Sequence, residues 1–294
     1  MIVSPSFLTR GLETLVTFNP ISVHEDDTLD ELLERLYTTG FHHWPVVDEQ
    51  QHVIGMISDQ DIVRAATERY IANTSVEQCR KNYQVRIGSF MKRRVKTIDH
   101  LACPREALNQ ILEQGVHCLP VTKEGALWGM ITTTDFIREF AYSSHMVGDV
   151  AIKEVYDSEP LLVEIDTSVE DVRKLFIEKG LSYVMVAQGQ SPLGVITARD
   201  LRRHCCRQMA RTLYDGQLGD TGIAIDLVKT TSCLKRTCNL GLAATMMYEQ
   251  QINAVMVCPR EEEYFGVITE DHVLRRIYDV EQAALQLETA GVSL

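Results

Sequence analysis

Four times along the chain a hydroxyl residue stands three positions ahead of a carboxylate or an imidazole: Ser58 before Asp61, Thr132 before Asp135, Thr197 before Asp200, and Thr269 before His272. Each hydroxyl closes an apolar run that opens on glycine: Gly55-Met56-Ile57-Ser58, Gly129-Met130-Ile131-Thr132, Gly194-Val195-Ile196-Thr197 and Gly266-Val267-Ile268-Thr269. Such residues at the start of a helix cap its free backbone N–H groups, and the helix N-terminus attracts anions. An ionised carboxylate only accepts hydrogen bonds, so its natural partners are donors.

The elements that must hold these groups repeat with them. The glycines at 55, 129, 194 and 266 recur at intervals of 74, 65 and 72 residues, and a repeat of that length contains several elements. Upstream of each glycine lies a β-rich segment: His42-His43-Trp44-Pro45-Val46-Val47-Asp48, His117-Cys118-Leu119-Pro120-Val121, Ser182-Tyr183-Val184-Met185-Val186 and Asn253-Ala254-Val255-Met256-Val257. With the following run it predicts a hairpin of two strands. After the hydroxyl, Ile62, Val63, Ala65 and Ala66 in the first copy and Phe136, Ile137 and Phe140 in the second keep helical spacing. Further upstream, Thr28-Leu29-Asp30-Glu31 is a capping box ahead of the stripe Leu29, Leu32, Leu33 and Leu36. Pro104 suits a first helical position, ahead of Leu108, Ile111 and Leu112. Val169, Val172 and Phe176, then Leu240, Ala243, Ala244 and Met247, continue the series, and short β-branched runs precede these helices. Each unit reads strand, helix, strand, strand, helix.

On these motifs the chain resembles the cystathionine-β-synthase-type (CBS) domain family over nearly its whole length. The resemblance implies an α+β fold of four CBS repeats, paired as two Bateman modules with pseudo-twofold symmetry. The first module is expected over 1–144, with repeats near 10–70 and 86–144. The second is expected over 145–294, with repeats near 146–212 and 217–285. Phe7 to Phe18 is expected as a lead-in helix, matched at Ile87-Gly88-Ser89, Val147-Gly148-Asp149 and Leu218-Gly219-Asp220. Glu68 to Val85 is expected as a helical connector, Ser143-Ser144-His145 as the seam, and Val273 to Leu287 as a helix packing on another module or subunit.

The resemblance also implies an adenosine-containing nucleotide in clefts between paired repeats, with AMP, ADP or ATP expected and S-adenosylmethionine an alternative. The carboxylates, Asp61, Asp135 and Asp200, would then accept from ribose hydroxyls; Ser58, Thr132, Thr197 and Thr269 would help hold phosphate. The basic position ahead of the strand is His42 in the first unit and His117 in the second, but Ser182 and Asn253 in the others. Arg199 is a separate phosphate candidate, since a guanidinium matches phosphate geometry. His272 stands where the fourth unit's acid should be, which leaves that ribose site in question. The acids and hydroxyls also admit a purely capping role, while Trp44 and Leu119 read as core, with the lining of an adenine pocket as their alternative, and His43 and Arg64 as solvated or packing residues. The intact first module is the expected nucleotide site, with the third unit second. A phosphate beside an imidazole that titrates near 6.5 when free would draw proton uptake between about pH 6 and pH 8.

The function implied is a non-catalytic regulatory module that relays occupancy to quaternary structure or to an effector protein, as a homodimer or as an intramolecular disc. The alternative is an assembly scaffold without ligand. Similar pairs occur inside inosine-monophosphate dehydrogenase, but a (β/α)₈ barrel needs about 250 residues, and the repeats leave no space for one. There is no Walker loop and no Gly-x-Gly-x-x-Gly fingerprint, and no cofactor is expected. A net charge of −12 argues against nucleic acid. The N-terminal residues lack a secretion signal and no apolar run spans a bilayer, which points to the cytoplasm. The eight cysteines include no Cys-x-x-Cys pair and are expected as free, mostly buried thiols, with Cys205-Cys206 the one pair worth a redox test.

Overall fold

A computed structural model of the chain describes residues 7–39, 41–69, 75–142, 150–189, 191–215, 222–229, 232–258 and 266–289. The expected seam at Ser143 to His145 and the lead-ins at Val147 to Asp149 and Leu218 to Asp220 lie outside them.

The first unit contains strand β2 (Val23–His24), helix α1 (Leu29–Thr39), strands β3 (His43–Val47) and β4 (Val53–Ser58), and helix α2 (Asp59–Arg69). Strand β1 (Thr17–Phe18) precedes it and helix α3 (Val76–Asn82) follows. In the second unit, strands β5 (Lys92–Arg93) and β6 (Ile98–Asp99) lead to α4 (Pro104–Gln114), β7 (Cys118–Lys123), β8 (Ala126–Thr132) and α5 (Thr133–Tyr142). The third unit runs through β9 (Leu162–Glu164), α6 (Val169–Lys179), β10 (Tyr183–Gln188), β11 (Ser191–Thr197) and α7 (Ala198–Asp215). The last elements keep the same order: β12 (Cys233–Lys235), α8 (Leu240–Glu249), β13 (Ala254–Cys258), β14 (Gly266–Thr269) and α9 (Glu270–Thr289). No helix among the described residues is long and apolar enough to cross a membrane.

Local signals account for the helix starts. Thr28 N–H donates to Glu31 Oε2 at 2.8 Å and Glu31 N–H returns to Thr28 Oγ1 at 3.3 Å, the reciprocal capping box. Pro104 opens α4, which closes on Gly115 at φ 61°. The stripes Leu29, Leu32, Leu33 and Leu36, and Leu240, Ala243, Ala244 and Met247, are buried.

The lead-in departs from expectation. Phe7 to Phe18 is not a helix but two 3₁₀ turns, Phe7–Thr9 and Leu12–Thr14, followed by β1. Gly11 is extended (φ −66°, ψ 144°) between the turns. Thr17 and Phe18 are drawn across to the second unit's sheet, opposite Met130 and Gly129. In return Lys92 and Arg93 of β5 pair with Met56 and Gly55 of the first. The two four-stranded sheets, β1-β8-β7-β6 and β2-β3-β4-β5, therefore exchange their edge strands. This explains the glycine of the first two copies. A Cβ at Gly129 would lie 2.2 Å from Val16 Cγ1 and 3.0 Å from the Thr17 carbonyl, and one at Gly55 would lie 2.8 Å from the Lys92 carbonyl.

The third unit's sheet is β11-β10-β9 and the last is β12-β13-β14. They meet through Met185, Val195, Ala254, Met256 and Val267. The halves of the chain pack through helices: α5 with Phe136 and Phe140 shares one core with Ala243, Ala244, Val273, Leu274 and Ile277 of α8 and α9. Cys206 and Leu213 of α7 enter the core of the first unit. Arg105 of α4 reaches Glu281 of α9 at 3.1 Å, so α9 packs on the second unit of the same chain.

Cys233 and Cys258 correct the expectation of free thiols: they form a disulfide. Strands β12 and β13 are parallel neighbours, with Cys233 opposite Met256 and Lys235 opposite Cys258. That register leaves the two Cα atoms 5.8 Å apart, inside the usual disulfide range. Cys205 and Cys206 are free.

Candidate functional site

Each repeated hydroxyl lies at the turn from the hairpin into its helix. Asp61 Oδ2 accepts Ser58 N–H at 3.0 Å and Ser58 Oγ–H at 2.6 Å; Asp135 Oδ2 accepts Thr132 N–H at 2.9 Å and Oγ1–H at 2.7 Å. Asp200 receives the same pair from Thr197 at 3.1 and 2.5 Å. In the fourth position His272 Nδ1 accepts Thr269 N–H at 3.2 Å, so an imidazole replaces the acid as acceptor. That requires the neutral ring, and burial lowers its pKa.

The other oxygen of each acid faces a cation. Arg64 Nη2 lies 3.2 Å from Asp61 Oδ1, Arg138 Nη1 3.0 Å from Asp135 Oδ1, and Lys229 Nζ 2.7 Å from Asp200 Oδ1. Burial raises the pKa of Asp135, opposed by Thr132 and Arg138. Each carboxylate is thus a buried cap before it is anything else. With about four lone-pair sites it retains capacity for a further donor.

Residues 42, 117, 182 and 253 are structurally equivalent. Their carbonyls accept the first N–H of the following helix: Asp59 N–H to His42, Thr133 to His117, Ala198 to Ser182 and Glu270 to Asn253, at 2.9 to 3.0 Å. The helix starts converge through side chains. Arg199 Nη1 lies 3.0 Å from Glu270 Oε2 and donates to Asn253 Oδ1, while Nη2 reaches Thr133 Oγ1 at 3.4 Å. Arg202 Nε reaches Asp59 Oδ1 at 2.9 Å. Arg199 therefore ties three units together and is not an open phosphate ligand.

The Nδ1 atoms of His42 and His117 are buried and reach no hydrogen-bond partner among the described residues. His42 is pushed down to about 3 by burial and by Arg203, Arg207, Arg199 and Lys229. His117 is lowered to about 4, by burial first and then Arg199. Both rings are neutral at pH 7, which moves the expected titration window to lower pH.

A cleft of about 470 Å³ lies between the first two units. Ser58 and Asp61 come to it from one and His117, Leu119 and Pro120 from the other; His43, Asp59 and Arg202 line it as well, and Lys92 to Lys96 cross it. His42, Thr132, Asp135, Thr197, Arg199 and Asp200 are not among its lining residues. His43 and the basic run were missed as site residues. A cluster of cations just ahead of β6, in a chain of charge −12, was the signal available.

The CBS domain family model matches the chain at residues 12–68, 87–142 and 152–206, more than half its length. Protein MJ1225 of Methanocaldococcus jannaschii is 22% identical over 212 residues, covering 67% of this chain and 70% of that protein. A 33.4 kDa protein encoded in a ribosomal RNA operon of Thermofilum pendens is 24% identical over 260 residues, covering 84% of each. The crystal structure of MJ1225, proposed there to be an archaeal homologue of g-AMPK, matches with a TM-score of 0.70 at 19% identity, over 91% of this chain and 100% of that one. A conserved protein of Pyrococcus horikoshii matches at TM-score 0.61 and 18% identity, over 90% and 99%. With three matched CBS domains and the α+β architecture of these structures, the chain belongs to the CBS-domain family.

Proposed function

We propose that the chain is a non-catalytic regulatory module that binds an adenosine-containing nucleotide in the cleft between its first two repeats. Occupancy is relayed through the helices joining the two halves, or to an effector protein. The observation that carries this is the cleft itself, where Ser58 and Asp61 of one repeat meet His117 of the next. The buried, unpartnered Nδ1 of His117 is a polar atom in want of a partner. On this reading the last elements are a fourth CBS repeat, and the chain is two Bateman modules, 1–144 and 145–294. Support comes from the shared element order, the Thr269 and His272 cap, and the Asn253 carbonyl bond.

Ligand that binds only the folded state stabilises it by about 2.7 kcal/mol at a hundred times Kd. A thermal-shift panel of AMP, ADP, ATP and S-adenosylmethionine is expected to raise the melting temperature with at least one member. A scaffold without ligand is the second reading, favoured by Asp61, Asp135 and Asp200 all being paired within the chain. It predicts a melting curve that none of the four shifts.

A further inference from the structure

Resting on the nucleotide reading, the charge in the first cleft deepens it. Five cations line the cleft, Lys92, Arg93, Arg94, Lys96 and Arg202, against the two carboxylates Asp59 and Asp61. Both acids are already engaged, Asp59 by Arg202 and Asp61 by Arg64. Arg93 is likewise engaged, by Glu25 at 2.9 Å and the Gly88 carbonyl at 3.0 Å. Lys92, Arg94 and Lys96 remain, with no ion pair to any described residue. They are fixed in place by topology: Lys92 pairs with Met56 in the first sheet, and six residues later Ile98 pairs with Val121 in the second. The strand exchange thus stretches a basic strap between the two repeats, with Arg94 turning at φ 55°.

Uncompensated cations in a cleft focus potential and attract anions. The two imidazoles at the cleft, His43 and His117, are neutral at pH 7, with pKa values held down by burial and neighbouring arginines, so the strap supplies the cleft's free positive charge.

We propose that Lys92, Arg94 and Lys96 make the first cleft selective by phosphate count, taking a nucleoside triphosphate in preference to the monophosphate of the same nucleoside. Each additional phosphate meets a strap cation, whereas the nucleoside and first phosphate are held by Ser58, Asp61 and His117. The strap residues are therefore specificity-determining residues.

The test is calorimetric titration of the full chain with ATP and with AMP, magnesium-free, at two salt concentrations. The wild-type chain is expected to bind ATP roughly tenfold more tightly than AMP, the scale of a few exposed charge contacts, with the steeper salt dependence for ATP. The triple substitution Lys92→Gln, Arg94→Gln, Lys96→Gln is expected to bring that ratio close to one, by weakening ATP severalfold more than AMP. Inorganic tripolyphosphate is expected to compete with ATP on the wild-type chain and not on the variant. Equal affinity for ATP and AMP in the wild type overturns the inference while leaving the nucleotide site standing, as does a preference that survives in the variant. The single substitution Lys96→Gln, with an intermediate ratio expected, carries the same test should the triple variant unfold. No binding of either nucleotide to the wild type removes the underlying reading, and the inference falls with it.

Discussion

Asp61, Asp135 and Asp200 have a structural task that does not depend on any ligand. Each caps the turn into its helix through a serine or threonine three residues earlier and is nearly buried. Asp61→Ala is therefore expected to destabilise the fold by about 1–2 kcal/mol, on the scale of a lost cap, measured as a shift in urea midpoint. The histidines add a pH dependence whose sign follows from their lowered pKa values. As pH falls through about 6.5 the unfolded chain protonates first, because His42 and His117 resist until about 3 and about 4. Their contribution to stability is present above about pH 6.5 and is lost as pH falls toward 4, by at most about 1.4 kcal/mol per pH unit for each ring. Replacing both with glutamine is expected to flatten that acid limb in urea titrations at pH 7 and pH 5. The same shift relocates the proton uptake that phosphate binding would cause: buffer-dependent calorimetric heats are expected at pH 5 and not at pH 7.5. The sequence placed His42 and His117 at equivalent positions, as the paired carbonyl bonds bear out. It could not show that burial, and after it the arginines of α7 over eighty residues away from His117, holds the rings neutral.

At the scale of elements, the strands, helices and caps were legible because each unit repeats the same pattern at the periods of its elements. The strand exchange was not. A two-residue strand such as Thr17–Phe18 carries too little pattern to say which sheet it joins, so nothing in the sequence accounted for the glycine that opens the repeated motif. Its close approach to Val16 and Thr17 is the physical reason for it. Gly129→Ala is expected to cost about 1–3 kcal/mol by overpacking, read as a lower urea midpoint. The disulfide was hidden for a similar reason, since pairing Cys233 with Cys258 requires the parallel register of β12 and β13. With a sequence separation of 25, reduction is expected to lower stability by about 3 kcal/mol in the loop-closure account. Unfolding with and without dithiothreitol, with Cys258→Ser as the control, measures it.

At the scale of the whole molecule, the helices of one half bury their outward faces against those of the other. Phe136 and Phe140 lie in one core with Val273, Leu274 and Ile277. The sequence showed apolar stripes on these helices but not what covered them, since a second chain would satisfy the same stripes. Within the chain, Arg105 and Glu281 bridge α4 and α9 across the two halves, and both are largely buried. Arg105→Ala is expected to cost about 1–3 kcal/mol and to speed amide hydrogen exchange in α4 and α9 before the hairpins. Uniform exchange across all elements would speak against that packing. The central claim, that a nucleotide sits where the first two repeats meet, is tested most directly by titrating ATP into the wild-type chain and into His117→Ala in a calorimeter. Saturable binding to the wild type, weakened at least about tenfold in the variant with its melting temperature little changed, is the result predicted. Affinity that the substitution leaves untouched, or a wild-type chain that takes up no adenosine nucleotide at all, would contradict it.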